Sequence, residues 1–258
     1  MNFEIRACGG TLIVAVWCKE GLIICADRLT HDAYHDKSTD RPKIYQLTPS
    51  AAFAFTGHHE LRKNDSSGIA ISFPEVILDF SASNSFSSPE YFQGLLKKID
   101  EETIKFYSDF GMPRFYDHLL TMIFFGLDES GSIDSNMIEV RTIARHLEFF
   151  VYSGAEDPVK NKSYMVWGNT WAHEKIKDLS DNRFDKIRAN PLIRRFVFNN
   201  PTITDVTCQE AESFARDLII VSSKLTKEYA PESPSPIGDE IDSAVLSFKN
   251  GFQWRTRH

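Results

Sequence analysis

Three residue types near the start of the chain would together support acyl transfer: Thr11, Asp27 and Lys43. A threonine hydroxyl is a weak nucleophile until a base takes its proton. A free α-amino group on the same residue can be that base, because its pKa of about 8 lies close to working pH. A lysine beside the hydroxyl lowers the hydroxyl's pKa electrostatically, and a carboxylate keeps the lysine charged and in place. A backbone N–H aimed at the developing oxyanion completes the set. Gly9 and Gly10 precede Thr11, and glycine tolerates the strained backbone that self-cleavage requires. Residues 1–10 therefore have two readings: a leader removed just before Thr11, or an extra edge strand or frayed terminus.

The elements that must hold these residues read as two β-hairpins. The apolar runs Gly10–Trp17 and Leu22–Arg28 meet at a Lys19-Glu20-Gly21 turn. After a polar loop, Lys43–Leu47 and Ala51–Gly57 are joined by Thr48-Pro49-Ser50. The hydroxyl thus falls at the start of the first strand, the carboxylate at the end of the second, and the lysine in the third.

Beyond Gly57 the periodicity is lost over 58–90, where an apolar piece from Phe73 to Phe80 lies between two polar loops. Pro89 starts a helix with Phe92, Leu95, Leu96, Ile99 and Ile104 near one face. Strands are expected at Leu119–Gly126, Met137–Arg141 and Phe149–Tyr152, with a turn at Asp128–Gly131. Tyr164–Trp167 leads into Gly168-Asn169-Thr170, which opens a helical segment to Ile176 that continues less regularly to about Phe198. Thr207 and Glu210 form a capping box for a long helix that turns Ala211, Phe214, Ala215, Leu218 and Ile219 inward. Three prolines mark 229–237 as a loop, and a hairpin of Ile241–Phe248 with Phe252–Arg255 closes the chain. Strands, helices, strands, helices and strands in separate blocks predict an α+β layered fold rather than alternating βαβ units.

Composition narrows the function classes. A chain of 258 residues with 42% hydrophobic and 25% charged content buries a sizeable core without staples. A formal charge of −7, with no basic patch interleaved with aromatics, argues against nucleic acid as a partner. No apolar run approaches the ~18 residues of a membrane span, and no basic region followed by an apolar core marks a secretion signal. The four cysteines, Cys8, Cys18, Cys25 and Cys208, show no metal-type spacing. Cys18 and Cys25 flank the first turn and could face each other, although buried free thiols are the ordinary outcome. The expectation is a soluble cytoplasmic protein without metal, cofactor or membrane partner. His58 and His59 are adjacent, so in a strand they point to opposite faces and make poor joint ligands.

Gly10-Thr11, Ala26-Asp27-Arg28, Lys43-Ile44 and Thr56-Gly57 resemble the proteasome β-subunit family of N-terminal nucleophile hydrolases, bacterial members included. Asp27, Lys43 and Gly57 follow Thr11 by 16, 32 and 46 residues, the family's register for aspartate, lysine and oxyanion-hole glycine. The resemblance implies a four-layer αββα sandwich over 11–258, with an insertion around 58–90. It implies a threonine peptidase that cleaves Gly10–Thr11 itself and assembles into a ring or related homo-oligomer. A separate ATP-dependent unfoldase would feed it peptide or unfolded protein, since this chain carries no P-loop pattern. Thr11 would be the nucleophile, Lys43 its tuning cation, Asp27 the holder of Lys43, and the Gly57 amide the oxyanion donor. His31 would bind substrate through its backbone, and Phe55 would line the first specificity pocket or serve as core.

The chain also departs from that pattern. Asn169 stands where the family has a serine in a Gly-Ser-Gly turn, and an amide can still hydrogen-bond the threonine amine. Ile237-Gly238-Asp239 replaces Ser-Gly-Gly, Pro234 replaces an acidic residue, and Leu29 replaces a frequent arginine. Three alternatives stay open: a non-catalytic structural subunit with its leader retained, a small-amide hydrolase of the same nucleophile class, and a binding module. In the last, Asp27 and Lys43 form a plain ion pair.

Overall fold

The structure is a computed structural model that describes residues 11–32, 37–57, 60–62, 69–88, 90–110, 118–127, 133–143, 146–153, 163–230 and 237–257. It is a mixed α+β protein with two five-stranded antiparallel sheets and six α-helices among those residues.

The first sheet is built on the hairpin of β1 (Leu12–Cys18) and β2 (Gly21–Asp27), in the register Ile13 opposite Ala26. β12 (Tyr164–Gly168) pairs with the outer side of β1. β13 (Ile241–Ser247) and β14 (Gly251–Thr256) extend the sheet beyond β2, giving the order β12-β1-β2-β13-β14. The second sheet runs β11-β10-β9-β6-β5. Its strands are β5 (Ile44–Thr48), β6 (Ala51–Gly57), β9 (His118–Leu127), β10 (Ile133–Ile143) and β11 (His146–Ser153).

Period-two alternation decides what each face meets. In β1, Ile13, Ala15 and Trp17 join Ile44, Ala52, Ala54, Ile123 and Phe125 in a core between the two sheets. Leu12, Val14, Val16 and Cys18 point the other way, onto the long helix α6 (Cys208–Tyr229). In β6, Phe53 and Phe55 point away from the inter-sheet core, onto α1 (Phe73–Ser83) and α2 (Tyr91–Phe110). The remaining helices, α3 (Trp171–Lys177), α4 (Asp185–Arg188) and α5 (Pro191–Ile193), lie between β12 and α6 in the chain.

The expected strands and hairpins are present within a few residues of their predicted ends. α6 begins on the expected capping box, and Ala211, Phe214, Ala215, Leu218 and Ile219 are all buried. Three details differ. The polar stretch after Asp27 is a ribbon, β3 (Leu29–Asp32) with β4 (Lys37–Asp40), held by main-chain pairing that hydropathy does not reveal. The 58–90 region contains a second ribbon, β7 (Glu60–Arg62) with β8 (Ile69–Ser72), followed by α1. On α2 the inward stripe is Tyr91, Leu95 and Ile99 rather than one reaching Ile104, which is 55% exposed. Tyr91 anchors it, because its hydroxyl meets Ser81 of α1 at 2.5 Å. His58, His59, Pro234, the turn at 128–131 and residues 1–10 lie outside the described residues.

Candidate active site

Thr11 is the last residue before β1, and it is 4% exposed. Strand pairing places it. On one side Leu12 pairs with Gly168 of β12, and the next residue, Asn169, donates its N–H to the Thr11 carbonyl at 2.8 Å. On the other side the β1–β2 register brings the end of β2 alongside Leu12, and Leu12 N–H donates to Asp27 Oδ1 at 2.7 Å. Gly168 has φ +95°, and a Cβ there would stand 1.9 Å from the Thr11 carbonyl oxygen. Only glycine lets β12 close this tightly on Thr11.

Asp27 is fully buried and its carboxylate is saturated with donors. Besides Leu12 N–H on Oδ1, its Oδ2 accepts from Gly238 N–H at 2.9 Å, Leu29 N–H at 3.2 Å and Lys43 Nζ at 3.1 Å. Lys43 is 2% exposed and also donates to the Leu29 carbonyl. It sits one residue before β5, so the pair joins the second sheet to the end of β2 in the first. Burial acts against charge on both partners, pushing the Asp27 carboxyl up and the Lys43 ammonium below the usual lysine range. The charge of each partner and the N–H donors on the carboxylate act in the opposite sense.

The surrounding loops are fixed by a second charged cluster. Arg28 is 7% exposed; its Nη1 donates to Asp242 Oδ2 at 2.7 Å and its Nε to Asp40 Oδ1 at 2.6 Å. Its backbone N–H donates to the Glu240 carbonyl at 3.0 Å, and its carbonyl accepts from Arg41 N–H at 2.9 Å. One side chain therefore ties β13 and β4 to the residue that follows Asp27.

The structure thus brings Thr11, Asp27, Lys43 and Asn169 into one connected network. Asn169 reaches Thr11 through its main chain, while its side-chain Oδ1 accepts from Trp171 N–H at 3.3 Å. Gly57 ends β6 with φ +100°, opposite Leu120. Phe55 N–H donates to the Lys43 carbonyl at 3.2 Å, but its ring stacks with Tyr45 and Phe53 on the helix-facing side of the second sheet. His31 pairs with Ser38 through the backbone of the β3–β4 ribbon, and its side chain lies outside the described residues. Asp239 turns away to α6, where Ser223 Oγ donates to it at 2.7 Å and Lys227 Nζ at 2.9 Å.

Sequence reasoning missed the parts that act through the main chain or through residues distant in sequence. Gly238 N–H on Asp27 and Asp242 on Arg28 carry no spacing signal, because they arrive only once β13 has docked beside β2, and the Leu29 carbonyl that accepts from Lys43 acts through the main chain. Trp17 and Trp167 are packing residues, the latter edge-on to Phe125. A cavity of about 360 Å³ lined by Tyr164, Trp167, His173, Lys177 and Phe196 includes none of the expected site residues. No protein-family model matches the chain, and no curated protein matches it.

Proposed function

We propose that the chain is a threonine peptidase of the proteasome β-subunit kind, with the helix–sheet–sheet–helix order of an N-terminal nucleophile hydrolase. The observation that carries this reading is the buried Asp27–Lys43 pair, fastened by Asp27 Oδ1 to the main chain immediately after a buried Thr11. A surface ion pair contributes little and needs no explanation. A fully desolvated one bonded to the main chain next to Thr11, at the start of β1, is a costly arrangement that suits a nucleophile.

In this proposal Thr11 Oγ1 first attacks the Gly10 carbonyl carbon. The Gly10–Thr11 C–N bond breaks, an ester forms on Oγ1, and water hydrolyses it to release residues 1–10 and leave Thr11 with a free amine. In turnover that amine takes the Oγ1 proton while Oγ1 attacks a substrate carbonyl, and the Gly57 N–H faces the oxyanion. The leaving amine takes the proton, and water then cleaves the acyl ester. Lys43 lowers the hydroxyl's pKa, Asp27 holds Lys43, Asn169 fixes the Thr11 carbonyl, and the His31 backbone aligns the substrate strand. A ring or related homo-oligomer would enclose the sites, with a separate ATP-dependent unfoldase supplying unfolded protein in the cytoplasm.

The intact masses of the purified protein and its Thr11→Ala variant test the proposal. Loss of residues 1–10 from the unmutated chain alone is the expected result. Retention of residues 1–10 in both chains would sink self-activation and leave the structural-subunit reading in its place.

A further inference from the structure

The far end of β1 holds a second reactive arrangement, independent of Thr11. Cys18 ends the strand, Cys208 is the first residue of α6, and their Sγ atoms stand 3.0 Å apart although the residues are 190 positions apart in the chain. The backbone around both is pinned. Lys19 N–H donates to the Val206 carbonyl at 3.0 Å, and Cys208 N–H donates to Glu20 Oε2 at 3.1 Å. Cys18 is fully buried and Cys208 is half-buried, so one sulfur faces an incoming reagent and the other waits behind it.

Glu20 lies close enough to make the trio a conceivable metal site. Two thiolates on a tetrahedral zinc, with Zn–S bonds of about 2.3 Å, stand roughly 3.8 Å apart. The observed 3.0 Å is tighter than that. A cation would also sit against the positive end of α6, which favours an anion such as a thiolate. A disulfide needs the sulfurs to close by only about 1 Å from here.

We infer that Cys18 and Cys208 form a reversible dithiol–disulfide site that takes a low-molecular-weight disulfide as oxidant. Cys208 Sγ attacks one sulfur of the reagent as its proton passes to the Cys18 thiolate, the reagent's S–S bond breaks, and one small thiol leaves carrying that proton. The Cys18 thiolate then attacks Cys208 Sγ in the mixed disulfide, expelling the second small thiol. The protein has lost two electrons and two protons, and the reagent has gained both. The hydrogen bond between the two sulfurs places the first thiolate on Cys18, held below the usual thiol range while Cys208 is pushed up, so Cys18 takes the Cys208 proton as Cys208 attacks and passes it to the departing small thiol. Cys25, fully buried with its thiol pushed up by burial, is the inert comparison within the same sheet.

Incubating the folded protein with oxidised or reduced glutathione, followed by intact mass and a non-reducing digest, tests the inference. Expected is a chain lighter by two hydrogens with a Cys18–Cys208 cross-linked peptide. The cross-link should form equally in Cys8→Ser and Cys25→Ser and be lost in Cys208→Ser. Because it ties β1 to α6 across most of the sequence, the oxidised protein should melt about 5 °C or more above the reduced one. Cys208→Ser, a change at a half-buried site, should melt alike in both buffers. An end product with glutathione still attached to Cys208, a bridge to Cys8, or two untouched thiols overturns the inference.

Discussion

Asp27 offers the sharpest test of the site, because its two oxygens are loaded unequally. Oδ1 takes one donor, Leu12 N–H, whereas Oδ2 takes three: Gly238 N–H, Leu29 N–H and Lys43 Nζ. In Asp27→Asn the amide oxygen should keep the crowded side, leaving the amide nitrogen against Leu12 N–H. That strands one buried donor, at about 1–3 kcal/mol, and replaces a charge-assisted bond to Lys43 by a weaker neutral one. The expected destabilisation is about 3 kcal/mol, which for a chain of this size is a fall in Tm of roughly 6–12 °C. Lys43→Met removes the opposite charge and leaves a buried carboxylate, at about 3–5 kcal/mol.

If the pair is made as described, the two losses overlap. The double variant Asp27→Asn/Lys43→Met buries no uncompensated charge, so it should be more stable than the sum of the single changes by about 1.5 kcal/mol or more. Urea unfolding followed by tryptophan fluorescence measures all four proteins, each in a Thr11→Ala background so that none can process itself. Single losses that simply add, to within about 0.5 kcal/mol, would refute the buried pair and with it the basis of the proposed chemistry.

Other expectations are narrower. Gly168→Ala should abolish release of residues 1–10 and cost more than about 2 kcal/mol, because its Cβ would stand 1.9 Å from the Thr11 carbonyl oxygen at φ +95°. A variant that processes normally would mean that the close approach of β12 is dispensable. Glu212 on α6 opposes burial with bonds from Ser243 Oγ at 2.5 Å and Arg255 Nε at 2.6 Å, which hold its carboxyl below the ordinary value of 4.5. Its folded pKa is depressed, so the stability it adds is present above about pH 4.5 and is lost as pH falls through the folded value. Urea midpoints of the protein and its Glu212→Gln variant should therefore differ at neutral pH and converge in acid; a constant gap would remove Glu212 from the acid response.

Much of the first sheet was legible because β1 and β2 are short apolar runs joined by a tight turn, and the hairpin register then fixes which residue faces Asp27. α6 was legible for a different reason: its capping box and apolar stripe are local signals. What escaped notice depends on distance in sequence. The β3–β4 ribbon is polar and is held by main-chain pairing, and the burial of Tyr91 goes with a hydroxyl contact to Ser81 of another helix that no local pattern marks. Cys18 and Cys25 are the buried free thiols expected, but the partner of Cys18 could not be read from spacing. Cys18 and Cys25 flank one turn, yet Cys25 lies opposite Val14, while Cys18 meets a thiol 190 residues away. For the site, the spacing of Thr11, Asp27 and Lys43 was visible, but Gly238 and Asp242 join it only through the docking of β13 on β2.

The position of the ion pair bears on why it exists. Elsewhere the two sheets meet through Ile, Ala, Leu, Phe and Trp, and a matched apolar pair in place of Asp27 and Lys43 would often be neutral or stabilising by about 1–4 kcal/mol. Stability alone therefore does not account for two charges at this junction. Four donors converge on one carboxylate, and two of them belong to Leu12 and Gly238, segments that flank the expected nucleophile and close the first sheet. The pair fixes where β1 begins beside Thr11 as firmly as it fixes Lys43. If the double variant folds almost as well as the parent, then the network is maintained for the position and charge it imposes near Thr11. If it collapses as badly as either single change, the same residues are structural, and the case for a nucleophile rests on Thr11 alone.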